Sequence, residues 1–310
     1  MPSVVKPTSS QGYAHPGYAA SLSGIGAPRE LALSGGWILE REIPTTGLRD
    51  GTGSYPLFVC KDWARIADDL CSLAKHLVSV VLVADPLGAF TESDLRRSFD
   101  VVRPYKKHFV VDLTLSTESH MPRRHRRNIV RALERVQVEI VSNPIDMLDS
   151  WVELYGQLIT RHQIGDFRTF SRETFAKQLK VPGLTLFKAL ADEEIVGLHW
   201  WFSCNDVAYG HLGATSARGY ELMASYALYF HAIQHFKQRS HWLDLGGVPG
   251  LSDAREGSGL AQFKAGWATE LRQAYVCGRI LQPAAYARLA GTIGRDTLTF
   301  FPAYRAGDVS

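Results

Sequence analysis

Three apolar segments, Leu184 to Leu190, Ile195 to Ser203 and Val207 to Ala214, follow one another with almost nothing between them. The connections, Ala191-Asp192-Glu193-Glu194 and Cys204-Asn205-Asp206, are short enough for antiparallel hairpins. Upstream, Val136 to Val141 alternates as a strand, and Ile145 to His162 and Arg172 to Lys180 have the spacing of amphipathic helices. Downstream come a helix from Tyr220 to Phe236, a strand from His241 to Leu245, a helix from Gly259 to Trp267 and a strand from Leu271 to Cys277. From Val136 onward the order is β-α-α-β-β-β-α-β-α-β.

The first half is less regular. Arg29 to Leu33 and Trp37 to Arg41 are expected as strands joined by a turn at Ser34-Gly35-Gly36. Gly47 to Gly53 is expected as a glycine-rich loop, and Tyr55 to Cys60 as a short strand. Asp62 to His76 has helical spacing. The continuous apolar run Val78 to Ala84 is expected as a buried strand. A helix over Glu92 to Phe99 and a strand over His108 to Leu113 complete this half.

At 310 residues there is room for two domains, and 45% apolar with 21% charged residues is the profile of a packed protein. A net charge of +3 excludes a global polycation, so any nucleic-acid contact would come from a local patch. Such a patch exists. Arginines 123, 124, 126, 127, 131 and 135 crowd one predicted helix whose only acid is Glu134. They form a solvated face or an anion-binding one.

Cys60, Cys71, Cys204 and Cys277 form no C-x-x-C pair and lie near no histidine in ligand spacing, so no metal is expected. The chain has no nucleophile elbow and no phosphate-loop motif. No apolar run approaches the roughly 20 residues of a membrane span. The start, MPSVVKPTSSQGY, lacks signal-peptide order, so a cytoplasmic location is expected.

The stretch Leu243 to Leu271 is the most informative. Asp244-Leu245-Gly246-Gly247, a polar loop, and then Gly259-Leu260-Ala261-Gln262-Phe263-Lys264-Ala265-Gly266-Trp267 resembles the closing motif of the Fem-type aminoacyltransferases. These belong to the Gcn5-related N-acyltransferase (GNAT) superfamily, whose strand order the second half also resembles. The resemblance covers about residues 120 to 278. It implies a mixed α/β fold of two tandem GNAT-like domains, 1–117 and 118–310, each a mostly antiparallel sheet flanked by helices. It also implies a transferase that joins an acyl group to an amine without metal, resident cofactor or covalent enzyme intermediate. The donor would be aminoacyl-tRNA or acyl-CoA, and the acceptor a small-molecule or peptide amine.

On this resemblance Lys264 would stabilise the oxyanion and Phe263 would lie against the donor. Gly246 and Gly247 would let a ligand approach the backbone, as strand-end glycines do. Asp244 is a candidate base or a structural carboxylate. Tyr209 and His211, with His199 on the preceding strand, would make the cleft polar or simply pack. Arg218 and Gly219 sit where superfamily members hold the coenzyme A pyrophosphate. Here the segment Ser216-Ala217-Arg218-Gly219-Tyr220-Glu221 departs from the Q/R-x-x-G-x-G/A pattern, with a serine first and a glutamate last. A carboxylate there opposes a diphosphate. Arg123, Arg124, Arg126 and Arg127 would meet tRNA phosphates. Aminoacyl transfer from tRNA is the leading expectation. Acyl-CoA-dependent N-acetylation and a catalytically silent RNA- or partner-binding protein stay open.

Overall fold

The computed structural model describes residues 10–116, 120–162, 170–248, 259–291 and 300–309. It is a mixed α/β structure whose strands pair mostly antiparallel. The chain divides into two compact units, each assembled from two stretches. One comprises residues 18–106 and 273–310, the other 1–17 and 107–272.

In the first of these, helix α1 (Pro16–Ser21) precedes β1 (Ala27–Leu31), β2 (Gly36–Glu42) and β3 (Arg49–Gly53). β3 occupies the segment expected as a glycine-rich loop. Its glycines serve packing, because a Cβ on Gly53 would lie 2.7 Å from Leu82 Cβ and one on Gly51 3.1 Å from Val80. Tyr55 to Cys60, expected as a strand, makes only one bridge, Phe58 to Ala84; Pro56 has no N–H to offer a ladder. The predicted helix over Asp62 to His76 is α2 (Ile66–Ser72) between two 3₁₀ turns. Strand β4 (Ser79–Ala84) and helix α3 (Glu92–Ser98) follow, the latter opened by a Thr91–Asp94 capping box. Ile38, Phe58, Leu70, Val80, Leu82 and Cys277 lie in this unit's core.

The chain enters the other unit along β5 (Val101–Asp112), a longer strand than expected. Helix α4 (Arg123–Leu133), β6 (Gln137–Ile140), α5 (Leu148–His162) and α6 (Arg172–Gln178) come next. Then β7 (Leu184–Ala191), β8 (Glu194–Cys204) and β9 (Val207–Thr215) form the expected antiparallel triplet. The first hairpin turns on Asp192 and Glu193, both at positive φ, the geometry that matches strand twist. The helix expected from Tyr220 to Phe236 is two, α7 (Ala217–Glu221) and α8 (Ala224–Phe236). Met223 breaks it with a left-handed φ of 58°. Strand β10 (Trp242–Asp244), helix α9 (Gly259–Ala265) and strand β11 (Glu270–Ile280) close the unit, and β11 carries the chain back to the first one. The polar loop, residues 249–258, lies outside the described residues. A last helix, α10 (Pro283–Ala290), has no counterpart among the expected elements.

The sheet of this unit runs in the order β5-β10-β9-β8-β7-β6 and is packed on both faces. Trp201, Phe187, Leu243 and Leu245 face α4 and α8. Trp200, Leu186 and Leu198 face α5 and α6. Side chains alternate between faces along each strand, so Asp244, between Leu243 and Leu245, points away from α4 and α8.

Candidate active site

β10 runs parallel to β9 for three residues only, Trp242–Asp244 against Val207–Tyr209, although β9 continues to Thr215. A bulge marks the point of separation. Trp200 and Trp201 face Leu212 and Gly210, which leaves His211 as the extra residue. On the other side β10 stays tied to β5: Leu245 N–H donates to the Phe109 carbonyl at 2.9 Å, and Phe109 N–H to the Gly246 carbonyl at 3.3 Å. Gly246 then turns the chain away at φ 74°, a conformation that favours glycine.

The Gly246-Gly247 turn is gripped from two sides. Asp244 is 2% exposed, and its Oδ1 accepts the Gly246 N–H at 2.7 Å. Both Asp244 oxygens lie against Nδ1 of His108, at 3.0 and 2.8 Å. From α9, Lys264 Nζ donates to the Gly247 carbonyl at 2.7 Å with the side chain 8% exposed. A buried carboxylate and a buried ammonium thus flank one dipeptide, and each hydrogen-bonds its backbone.

Two neutral groups surround these charges. Burial, with the Lys264 charge adding, lowers the pKa of His199 to about 3, so its imidazole is uncharged at neutral pH. Its ring packs on Trp201 and Tyr229, each at 4.7 Å. Burial, with the Asp244 charge adding, pushes the Tyr229 phenol up. Phe263 lies edge-on between Tyr226 and Tyr229, at 4.9 Å from each.

The glycine and tryptophan that end the motif have a packing role. His125, on the inner side of the arginine helix, donates through Nε2 to the Phe263 carbonyl at 2.9 Å. Its ring meets Trp267 edge-on at 5.6 Å. A Cβ at Gly266 would fall 2.0 Å from the ring, so only glycine leaves room. Burial lowers the His125 pKa, with the Arg124 charge adding. The arginine helix is therefore fastened to the peptide that precedes Lys264.

The remaining candidates are placed elsewhere. Tyr209 is the Cα partner of Asp244 across the strands, and its ring meets Tyr13 at 5.3 Å. His211 pairs through Nδ1 with the Tyr13 hydroxyl at 3.0 Å and through Nε2 with Gln178 Oε1 at 3.3 Å. Burial lowers its pKa to about 3. Arg218 is ion-paired to Asp192 and, at 2.7 Å, to Glu194. The Gly219 N–H is taken by the Ser216 hydroxyl at 3.1 Å, and a Cβ on Gly219 would meet the Val196 carbonyl at 2.1 Å. Arg123, Arg124, Arg126 and Arg127 are exposed on α4. His108, His125 and Tyr229 are the site residues that sequence reasoning missed. Of these, His108 was expected only as the first residue of the strand His108 to Leu113.

Residues 119–265 match the acetyltransferase (GNAT) domain family. No curated protein matches the chain by sequence. Among solved structures the chain is similar to FemX at 12% identity and a TM-score of 0.65, over 88% of this chain and 93% of that one. It is similar to the C-terminal domain of a putative lysylphosphatidylglycerol synthetase from Agrobacterium fabrum at 15% identity and a TM-score of 0.62, over 89% and 91% of the two chains. It is also similar to L-PGS from Bacillus licheniformis at 15% identity and a TM-score of 0.56, over 88% and 94%. These likenesses show a shared fold. The match to the acetyltransferase (GNAT) domain covers residues 119–265 of this chain, and the solved structures share its fold.

Proposed function

We propose that this enzyme moves an aminoacyl group from aminoacyl-tRNA to an amine and forms an amide bond. The observation that carries the choice of donor is the turn at Ser216. Its Gly219 N–H is spent on Ser216 and its Arg218 on two acids, so neither stands ready for a coenzyme A diphosphate. The exposed arginine helix supports a polyanionic donor instead, and His125 links that helix to the Lys264 helix.

In this reading the donor ester lies where β9 and β10 part. Its carbonyl approaches Gly246-Gly247, and Phe263 lies against the aminoacyl group. When the amine attacks, the carbonyl oxygen becomes an oxyanion, and the Lys264 ammonium stabilises it in a water-poor setting. One of the three N–H groups of the Lys264 ammonium meets the Gly247 carbonyl. Asp244 holds the turn that presents these groups. Tyr209 shapes the floor of the opening next to Asp244, while His211 acts through the Tyr13 network. Charged tRNA is a cytoplasmic donor, which locates the enzyme there. Among the described residues no helix is long and apolar enough to cross a membrane.

The test is a pair of incubations. One holds total tRNA charged with labelled amino acids, the other labelled acetyl-CoA, each with a mixture of amino sugars, amino acids and a lysine-containing peptide. An alkali-stable labelled product from the tRNA arm alone is expected. Product from the acetyl-CoA arm alone overturns the choice of donor.

A further inference from the structure

We propose that His108 is the proton acceptor for the attacking amine and that Asp244 is the positioning residue that sets its tautomer. The inference rests on the reading that an amine is acylated at this site, with either donor.

The bonding pattern dictates the tautomer. An ionised carboxylate only accepts hydrogen bonds. Asp244 Oδ1 already accepts the Gly246 N–H, and both oxygens face His108 Nδ1. Nδ1 must therefore carry the proton, and Nε2 of the neutral ring keeps its lone pair. Nε2 makes no hydrogen bond to any described residue, and the side chain is 9% exposed. This arrangement of a buried carboxylate, an imidazole and an open basic nitrogen is the one that orients a general base. The ring is also held beside the reacting region. Phe109, the next residue, exchanges backbone hydrogen bonds with Leu245 and Gly246. Among the described residues, Asp244 lies against the ring and Lys264 beyond Gly247.

The proton balance is simple. The acceptor arrives as an ammonium and gives one proton through Nε2 to bulk water. The neutral nitrogen then bonds the donor's carbonyl carbon. The second proton leaves that nitrogen for Nε2, the C–O bond to the tRNA ribose breaks, and the proton passes from Nε2 to the departing oxygen. The ring ends as it began. With a thioester donor the departing atom is sulfur and the rest is unchanged.

Two measurements test the proposal. The first needs no activity: long-range ¹⁵N–¹H spectra of histidine-labelled protein at pH 7. For the neutral form of the His108 ring the Nδ1–H tautomer is expected, with that preference lost in Asp244→Asn. A neutral ring protonated on Nε2 overturns the assignment. The second uses His108→Asn, which places an amide N–H where Nδ1 was and so keeps the bond to Asp244. Transfer to 1,5-diaminopentane, protonated at neutral pH, should fall by roughly 10² to 10⁴ in kcat. Transfer to hydroxylamine, largely unprotonated there, should fall by less, since the first of the two proton transfers to Nε2 is no longer needed. Equal losses with both nucleophiles mean that His108 only supports the turn. If wild type uses acetyl-CoA rather than charged tRNA, the donor reading falls while the His108 contrast is still measured.

Discussion

Lys264 donates to the Gly247 carbonyl from the last turn of a short helix. On the proposed role its charge meets an oxyanion that exists only in the transition state. Lys264→Ala should then cut turnover by on the order of 10² to 10³ while donor binding changes little. Lys264→Arg should recover little of this, because a planar guanidinium does not present a compact charge at the same point. Turnover and melting measured on the same preparations decide the matter, and wild-type turnover in both variants excludes the role. Gly266 makes the opposite case, a residue with no chemistry and a strict size limit. Gly266→Ala puts a methyl within 2.0 Å of the His125 ring, which must move and take the Phe263 carbonyl bond with it. A loss of about 1–3 kcal/mol in urea unfolding is expected, as for other overpacked sites. A neutral result would show that the two helices slide apart freely. The motif made Gly246, Gly247, Phe263 and Lys264 legible because they lie within one stretch of sequence. His108 and His125 were not legible. Their partners, Asp244 and the Phe263 carbonyl, are 136 and 138 residues away, and nothing local marks either pairing.

Among the elements, the β7-β8-β9 triplet was readable because alternation, hairpin-length turns and turn residues all agreed. β3 was not, since its glycines are explained by Leu82 and Val80 on another strand rather than by their own neighbours. The break at Met223 was hidden for a similar reason: the helical pattern runs through it without interruption, and only packing selects the left-handed residue. Helix α4 carries its own prediction. Its buried residues, His125, Ile129 and Ala132, form one stripe, and the arginines cover the rest. Replacing Arg123, Arg124, Arg126 and Arg127 by alanine should weaken charged-tRNA binding. The slope of log affinity against log salt should fall by about 0.7–0.9 for each phosphate that is no longer neutralised. Stability should change little, because all four side chains are exposed. Identical salt slopes for variant and wild type would reduce the helix to a solvated face.

For the whole molecule, acid is the natural weak point. His199 and His211 both have folded pKa values lowered from 6.5 to about 3 by burial. As pH falls through 6.5 the unfolded chain takes up these protons and the folded chain does not. Each histidine therefore removes up to about 1.4 kcal/mol of stability per pH unit, in a window that closes only near pH 3. Urea midpoints should fall between pH 7 and pH 5, and His211→Gln should make the fall shallower. An unchanged slope in the variant would mean that His211 is protonated in the fold. The partition of the chain also bears on its synthesis. Strand β4 waits for β11, its antiparallel partner, while residues 85 to 269 are made, and β5 waits for β10 while residues 113 to 241 are made. Neither unit can close on the ribosome as its first stretch emerges. The nascent chain must therefore carry the apolar run Ser79–Ala84 with an open edge through most of translation, the condition under which strands pair with the wrong neighbour.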